Sequence, residues 1–242
     1  MEVFKMKEKM KSKKIWKVAL MVALILSLLS FVLTGCSGNN SNQKPNTEIS
    51  TNSSQPTVTD STGKTTIDTD KDGIPDSVEK TYGTNPYVAD TDGDGVNDKE
   101  DKEPLKTENL IKETSTSPLG VKIEDARVED NKDADHLEIT LNNTGKTALN
   151  NFDIYYTITD KVDKTQESYY QKLSGLSLNA GETKTIHFDN QVSEAGHYFG
   201  NMSGLYGTSK NGLIFDLQLH AKDFQPLNFQ VEKAEGTAEV AD

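Results

Sequence analysis

Between residues 68 and 101 the chain reads DTDKDGIPDSVEKTYGTNPYVADTDGDGVNDKED. Carboxylates recur there at every second position and break at a glycine, and the pattern occurs twice. A packed core has no use for so many acids in so short a span, because burying unpaired carboxylates is costly. A hard cation does, since calcium takes six to eight oxygen ligands. Twelve-residue calcium loops draw oxygens from positions 1, 3, 5, 7, 9 and 12 and place glycine at 6 for the turn. The first loop then offers Asp68, Asp70, Asp72, the Ile74 carbonyl, Asp76 and Glu79, with Gly73 at the turn. The second offers Asp90, Asp92, Asp94, the Val96 carbonyl, Asp98 and Asp101, with Gly95 at the turn. Asp101 is one methylene shorter than Glu79 and closes its loop less completely. The bland alternative, a solvated acidic linker, does not explain a register that fits twice. About two Ca²⁺ per chain are expected. Magnesium fits less well because it demands near-octahedral geometry and sheds water reluctantly.

The residues that must position these ligands are few. Ile74, Val78, Tyr82, Tyr87 and Val96 are the apolar side chains of the module, so the ions have to stand in for a core. Ile74 and Val96 are expected to pack inward, with their carbonyls facing the ion. A short helix fits residues 77–82, and GTNP stops it, with Gly83 suited to the C-cap and Pro86 unable to continue. Lys71 is expected to point to solvent. The two loops resemble bacterial thrombospondin type 3 repeats and, more distantly, dockerin-type loops. The resemblance covers about a seventh of the chain and implies calcium binding with a spacer or structural role.

The N-terminus has seven lysines before an apolar run over residues 18–33, which ends in LTGC at residues 33–36. This is the charged and apolar layout of a signal peptide, and the run is short for a transmembrane helix. LTGC resembles the bacterial lipobox, which implies lipidation at Cys36, a mature N-terminus there, and a lipid-anchored place on the extracytoplasmic face of a bacterial membrane. Cys36 is the single cysteine, so no intramolecular disulfide is expected. Loss of residues 1–35, with seven lysines and two glutamates, takes the net charge from −12 to about −17. Nucleic acid is thereby disfavoured as a partner. Residues 36–66 read as a flexible, Ser-, Thr- and Asn-rich tether, residues 67–104 as the repeat pair, and residues 234–242 as a tail.

From residue 117 to 233 the apolar period becomes two. Leu137, Ile139 and Leu141, then Phe152, Ile154, Tyr156 and Ile158, then Ile186 and Phe188 alternate with polar residues. So do Leu213, Phe215, Leu217 and Leu219, followed by Leu227, Phe229 and Val231, and Val121 with Ile123 suggest an opening strand. Such alternation marks half-buried antiparallel strands, and six to eight of them argue for a β-sandwich. LEITLNNTGKTALNNFDIYYTI and LSLNAGETKTIHF resemble Ig-like modules of bacterial surface proteins, which implies an Ig-like antiparallel sandwich. The expected fold class is therefore mainly β.

Sites beyond the loops are sparse. His136, His187, His197 and His220 include no H-x-x-x-H pair, and no Gly-x-Ser-x-Gly elbow occurs, so no enzyme is expected. His187 and His220 phase onto the outward face of their strands and read as exposed. Asp130, Asp133 and Asp135 form a further candidate cation cluster. The glycine-rich stretch over residues 196–207 places His197, Tyr198, Phe199 and Tyr206 as candidate contacts for a protein or glycan partner; the alternative is that its apolar members plug one end of the sandwich. The functional expectation is a structural or adhesive surface lipoprotein, with a carbohydrate- or solute-binding accessory of an export or degradation system as the alternative.

Overall fold

The computed structural model describes residues 55–59, 63–128 and 137–235, all within the compact unit Ser53–Asp242. The signal segment, Cys36, most of the tether, Asp130, Asp133, Asp135, His136 and nearly all of the tail lie outside the described residues. Among the described residues, no helix is long and apolar enough to cross a membrane.

A small antiparallel hairpin, β1 (Thr57–Thr59) and β2 (Thr65–Ile67), leads into the first acidic loop. Helix α1 (Asp76–Tyr82) follows that loop and ends on Gly83, which adopts φ 88° and donates its N–H to the Glu79 carbonyl at 2.8 Å. Glycine is required there because a Cβ is penalised in the left-handed region.

The remaining strands build a β-sandwich. They are β3 (Val121–Arg127), β4 (Leu137–Asn143), β5 (Leu149–Asp160), β6 (Gln166–Leu178), β7 (Thr183–Asp189), β8 (His197–Phe199), β9 (Leu213–Ala221) and β10 (Leu227–Lys233), with a four-residue helical turn, α2 (Leu205–Thr208), before β9. One sheet has the order β10-β9-β5-β6 and the other β3-β4-β7-β8. The pairing is antiparallel except for the short β7–β8 pair, which is parallel. Each alternating apolar run puts one face into the core. Ile139, Ile154, Ile186 and Leu219 are fully buried between the sheets, and burial of each such side chain contributes roughly 1.5–3 kcal/mol. Tyr156 stacks on Tyr169 at 5.2 Å and meets Phe188 edge-on at 6.2 Å.

The Asn-Thr-Gly turn after β4 is held from inside. Asn143 is fully buried, and its amide donates to the carbonyls of Thr147 (2.8 Å) and Leu178 (3.0 Å) and accepts from the Gly145 N–H (2.9 Å). Asn143→Ala strands two carbonyls and one N–H, and a loss of about 2–4 kcal/mol is expected in chemical denaturation. A loss below about 1 kcal/mol would show that water replaces the amide.

Two features position the rest of the molecule. The repeat is docked on the edge strand β6, and residues 105–118 continue from it as a strap across the outer face of the β10-β9-β5-β6 sheet. The strap bonds to Ser168 through Leu105 and Thr107, to Gln218 through Asn109 at 2.8 Å, and to His220 and Asp223 through Glu113. Ser117 then accepts the Gln225 N–H at 2.7 Å. The strap corrects the expectation for His220. Its side chain does lie on the outward face, but Glu113 covers it and Asp153 binds its Nδ1 at 2.6 Å, so the residue is buried. His187 is half-buried, stacked on His197 at 4.6 Å beside Glu138.

Candidate metal centre

The two acidic loops fold on one plan, which each sequence register dictates. The first carboxylate of each loop accepts N–H groups three and five residues on: Lys71 and Gly73 donate to Asp68 at 2.9 and 3.2 Å, Gly93 and Gly95 to Asp90 at 3.0 and 2.8 Å. Asp70 and Asp92 each accept the N–H two residues later, as do Asp72 from Ile74 and Asp94 from Val96. Thr69 clasps Asp76 through its N–H and hydroxyl, both at 2.8 Å, and Thr91 clasps Asp98 at 2.8 and 2.6 Å. The threonine at the second position of each loop was not read from the sequence as a site residue. Its recurrence beside the aspartate seven residues on was the signal.

Among the described residues, three carboxylate groups have ligand oxygens within 4.8 Å of one another: Asp68, Asp70 and Asp72; Asp72, Glu79 and Asp98; and Asp90, Asp92 and Asp94. The first loop therefore gathers Asp68, Asp70, Asp72 and Glu79 as expected and recruits Asp98 from the second. Asp76 does not join these groups; both its oxygens serve Thr69. The second loop keeps Asp90, Asp92 and Asp94 together, while Asp101 turns to the Glu103 N–H at 2.9 Å.

The electrostatics fit a cation. Asp70 Oδ2, Asp72 Oδ2 and Glu79 Oε2 are buried without a hydrogen-bond partner. In Asp70 and Asp72 one oxygen shapes the backbone and the other is left for something else. Burial, reinforced by Asp70, Asp72 and Asp98, pushes the Glu79 carboxyl up to about 8. Burial likewise raises Asp92 to about 7, and Asp70 and Asp98 to about 6, with neighbouring carboxylates adding to it. Groups this strained as anions are relieved by an oxygen-seeking ion of opposite charge. The donor set is all oxygen and suits calcium better than a nitrogen- or sulfur-seeking metal.

Ile74 is buried, with its N–H bonded to Asp72 at 2.5 Å, as its expected inward packing requires. Val96 is 41% exposed, against expectation. The Gly73 turn is covered by Lys99, whose ammonium bonds the Gly73 carbonyl at 3.2 Å, whereas the side of the Gly95 turn where a Cβ would stand is open. Lys71 is exposed, as expected. Tyr82 and Tyr87 are also exposed, so Ile74 is the module's one buried apolar side chain among the large hydrophobics anticipated for it.

The module is seated on the sandwich by backbone and amide contacts. Tyr170 donates its N–H to the Asp92 carbonyl at 2.8 Å, and Lys106 donates its N–H to Asp92 Oδ2 at 2.9 Å. Asn201 Nδ2 reaches the Gly83 carbonyl at 2.8 Å and the Tyr169 hydroxyl at 3.1 Å, and Asn85 Nδ2 reaches the Gly200 carbonyl. Tyr169 in turn donates to buried Glu167, which also accepts the Leu205 N–H. The glycine-rich stretch is thus the seat of the repeat. Among its candidate partner contacts, Tyr198 and Tyr206 are corrected: both are buried in the core, because β8 pairs with β7 and α2 folds Tyr206 inward. His197 and Phe199 are half-buried, and His197 Nδ1 lies 2.7 Å from Asp189.

Fold and site together define a β-sandwich protein with a duplicated acidic metal-binding module on one sheet edge. Residues 68–89 and 90–100 match the sequence profile of the family described as bacterial TSP3 repeat, a calcium-binding repeat. No curated protein matches the chain in sequence. Among solved structures, one X-ray structural-genomics target is 10% identical, with 51% of this chain and 92% of that chain covered and a TM-score of 0.30. The ApaA protein from Bordetella pertussis is 12% identical, with 52% and 99% covered and a TM-score of 0.30. A beta-glucosidase from Listeria innocua in complex with gluconolactone is 16% identical, with 48% of this chain and 16% of that chain covered and a TM-score of 0.22.

Proposed function

We propose that the chain is a non-catalytic, calcium-binding surface lipoprotein, anchored through Cys36, whose ion-ordered repeat holds an Ig-like sandwich out to a protein or glycan partner. The observation that carries the calcium reading is the set of buried, partnerless oxygens on Asp70, Asp72 and Glu79, inside loops that match a calcium-binding repeat. The anchor rests on the LTGC motif behind a lysine-rich apolar segment.

Two calcium ions bind per chain, one in each loop. Asp68, Asp70, Asp72, Glu79 and Asp98 hold the first, and Asp90, Asp92 and Asp94 the second. Extracellular calcium modules bind at about 10⁻⁴–10⁻³ M, which suits steady occupancy outside the cell. Titration calorimetry of the full chain is expected to show two sites that magnesium fills poorly. Glu79→Gln is expected to weaken the first site at least about tenfold, since it removes the charge that closes the cage. It should also stabilise the ion-free protein at neutral pH, because glutamine does not have to take up the proton that burial of Glu79 demands. A stoichiometry near zero, or equal response to magnesium, would refute the calcium reading. Mass spectrometry of the membrane fraction tests the anchor: the mature protein should begin at a lipidated Cys36, and Cys36→Ala should lack the lipid mass.

A further inference from the structure

The outer face of the β10-β9-β5-β6 sheet has a second set of chemistry-bearing residues, remote from the acidic loops in role. Strand register sets six polar side chains there in a grid of two rows. Tyr155, Gln218 and Asn228 lie side by side on β5, β9 and β10, and Thr157, Asp216 and Gln230 lie in the next row. The grid lines a cavity of about 450 Å³, with Asn109 of the strap at its rim. Rows repeat at the two-residue period of a strand, so the array is as rigid as the sheet beneath it.

The groups are tied to one another in a chain. Asn109 Nδ2 donates to Gln218 Oε1 at 2.8 Å, and Gln218 Nε2 donates to Asn228 Oδ1 at 2.9 Å. Gln230 Nε2 donates to Asp216 Oδ1 at 2.7 Å. Fixed amides of this kind present donors and acceptors in known directions. Beside them stands the half-buried Tyr155, an aromatic surface of low conformational-entropy cost. Among the described residues, no lysine, arginine or histidine lines the cavity, and its one carboxylate is already bonded to Gln230. An acidic polymer finds no cation here, and a strongly basic one finds a single, engaged anion. An apolar peptide would leave the amides unpaired at a cost. A neutral polyhydroxylated chain answers both halves of the lining: hydroxyls pair with the amides, and the C–H face of a sugar ring lies on the tyrosine.

We infer that this groove is a binding site for a neutral oligosaccharide. The inference deepens the proposed function by naming the chemistry of its partner, and it rests on that reading for the display role alone. The test is isothermal titration of the full chain, in calcium-containing buffer, with maltohexaose, cellohexaose and chitohexaose, and with oligogalacturonate and an unstructured peptide as contrasts. Saturable binding of at least one neutral hexasaccharide is expected. Asn228→Ala, at an exposed position, and Tyr155→Ala should each weaken it at least about tenfold, with an unchanged circular dichroism spectrum and unchanged calcium heats. Binding of none of the three, tighter binding of oligogalacturonate or the peptide, or affinity that both variants leave intact would overturn the inference. Calcium titration of the same sample separates the two readings. Calcium heats without saccharide heats defeat the groove alone, and saccharide heats without calcium heats defeat the loops alone.

Discussion

Gly93→Ala is expected to lower stability by about 3 kcal/mol or more, while Gly95→Ala two residues away costs about 1–2 kcal/mol. Both glycines have positive φ, at 81° and 99°, so both variants meet the left-handed penalty. Only Gly93 is also pressed against the sandwich. A Cβ there would lie 1.9 Å from the Tyr170 carbonyl oxygen, which is backbone of β6 and cannot swing away. A Cβ on Gly95 would meet nothing within 4 Å. The difference between the two variants therefore isolates the docking of the second loop on the sheet edge from local strain. Urea denaturation of both at saturating calcium measures it, and equal losses would mean that the module and sheet do not meet through Gly93.

The second large effect is a reversal of pH dependence by the ion. In the ion-free protein the carboxyls of Asp70 and Asp98 titrate near 6, Asp92 near 7 and Glu79 near 8, all above their ordinary range and chiefly through burial. A carboxyl whose folded pKa is raised binds protons more tightly when folded. It contributes stability that is fully present below its unfolded pKa, near 4, and is lost as pH rises through the folded value. Ion-free protein should therefore lose stability steadily from about pH 5 to pH 8. Calcium requires the same groups deprotonated, so its binding expels protons and tightens as pH rises. Between pH 5.5 and 7.5 the affinity of the first loop is expected to rise on the order of a thousandfold, most of it from Glu79. Thermal melts in chelator and calcium titrations at matched pH values read the two trends. A melting temperature in chelator that rises across this window would overturn the account.

The sandwich was legible where strands have one wet face. β4, β5, β7, β9 and β10 alternate cleanly, because a period of two separates core from solvent. β6 is the longest strand and has no such pattern, for two physical reasons. A bulge shifts its register, so that Leu173 is followed by Leu176 and Leu178, and the repeat covers its other end, where Glu167 and Ser168 are buried. β8 has three residues, too few for a period to show. In the acidic loops, spacing picked out Asp68, Asp70, Asp72, Glu79, Asp90, Asp92 and Asp94, which cluster, together with Asp76 and Asp101, which do not. It could not show that Asp98 crosses to the first loop, since that depends on how two loops pack. His220 failed as an exposed residue for the same kind of reason: phase tells which face a side chain takes and says nothing of a strap laid over that face.

The seating of the repeat on β6 has a bearing on solubility. An uncovered edge strand is a template for another chain, and β6 is thirteen residues long. The outward backbone groups of Ser168 and the Tyr170 N–H are occupied by Leu105, Thr107 and Asp92, all belonging to the repeat or the segment that leaves it. The repeat is thus a guard against self-association as well as an ion site, and the guard is only as firm as the acidic loop that supplies Asp92. Chelation should lay bare this β edge, so that turbidity on storage follows calcium depletion before any melting of the sandwich core.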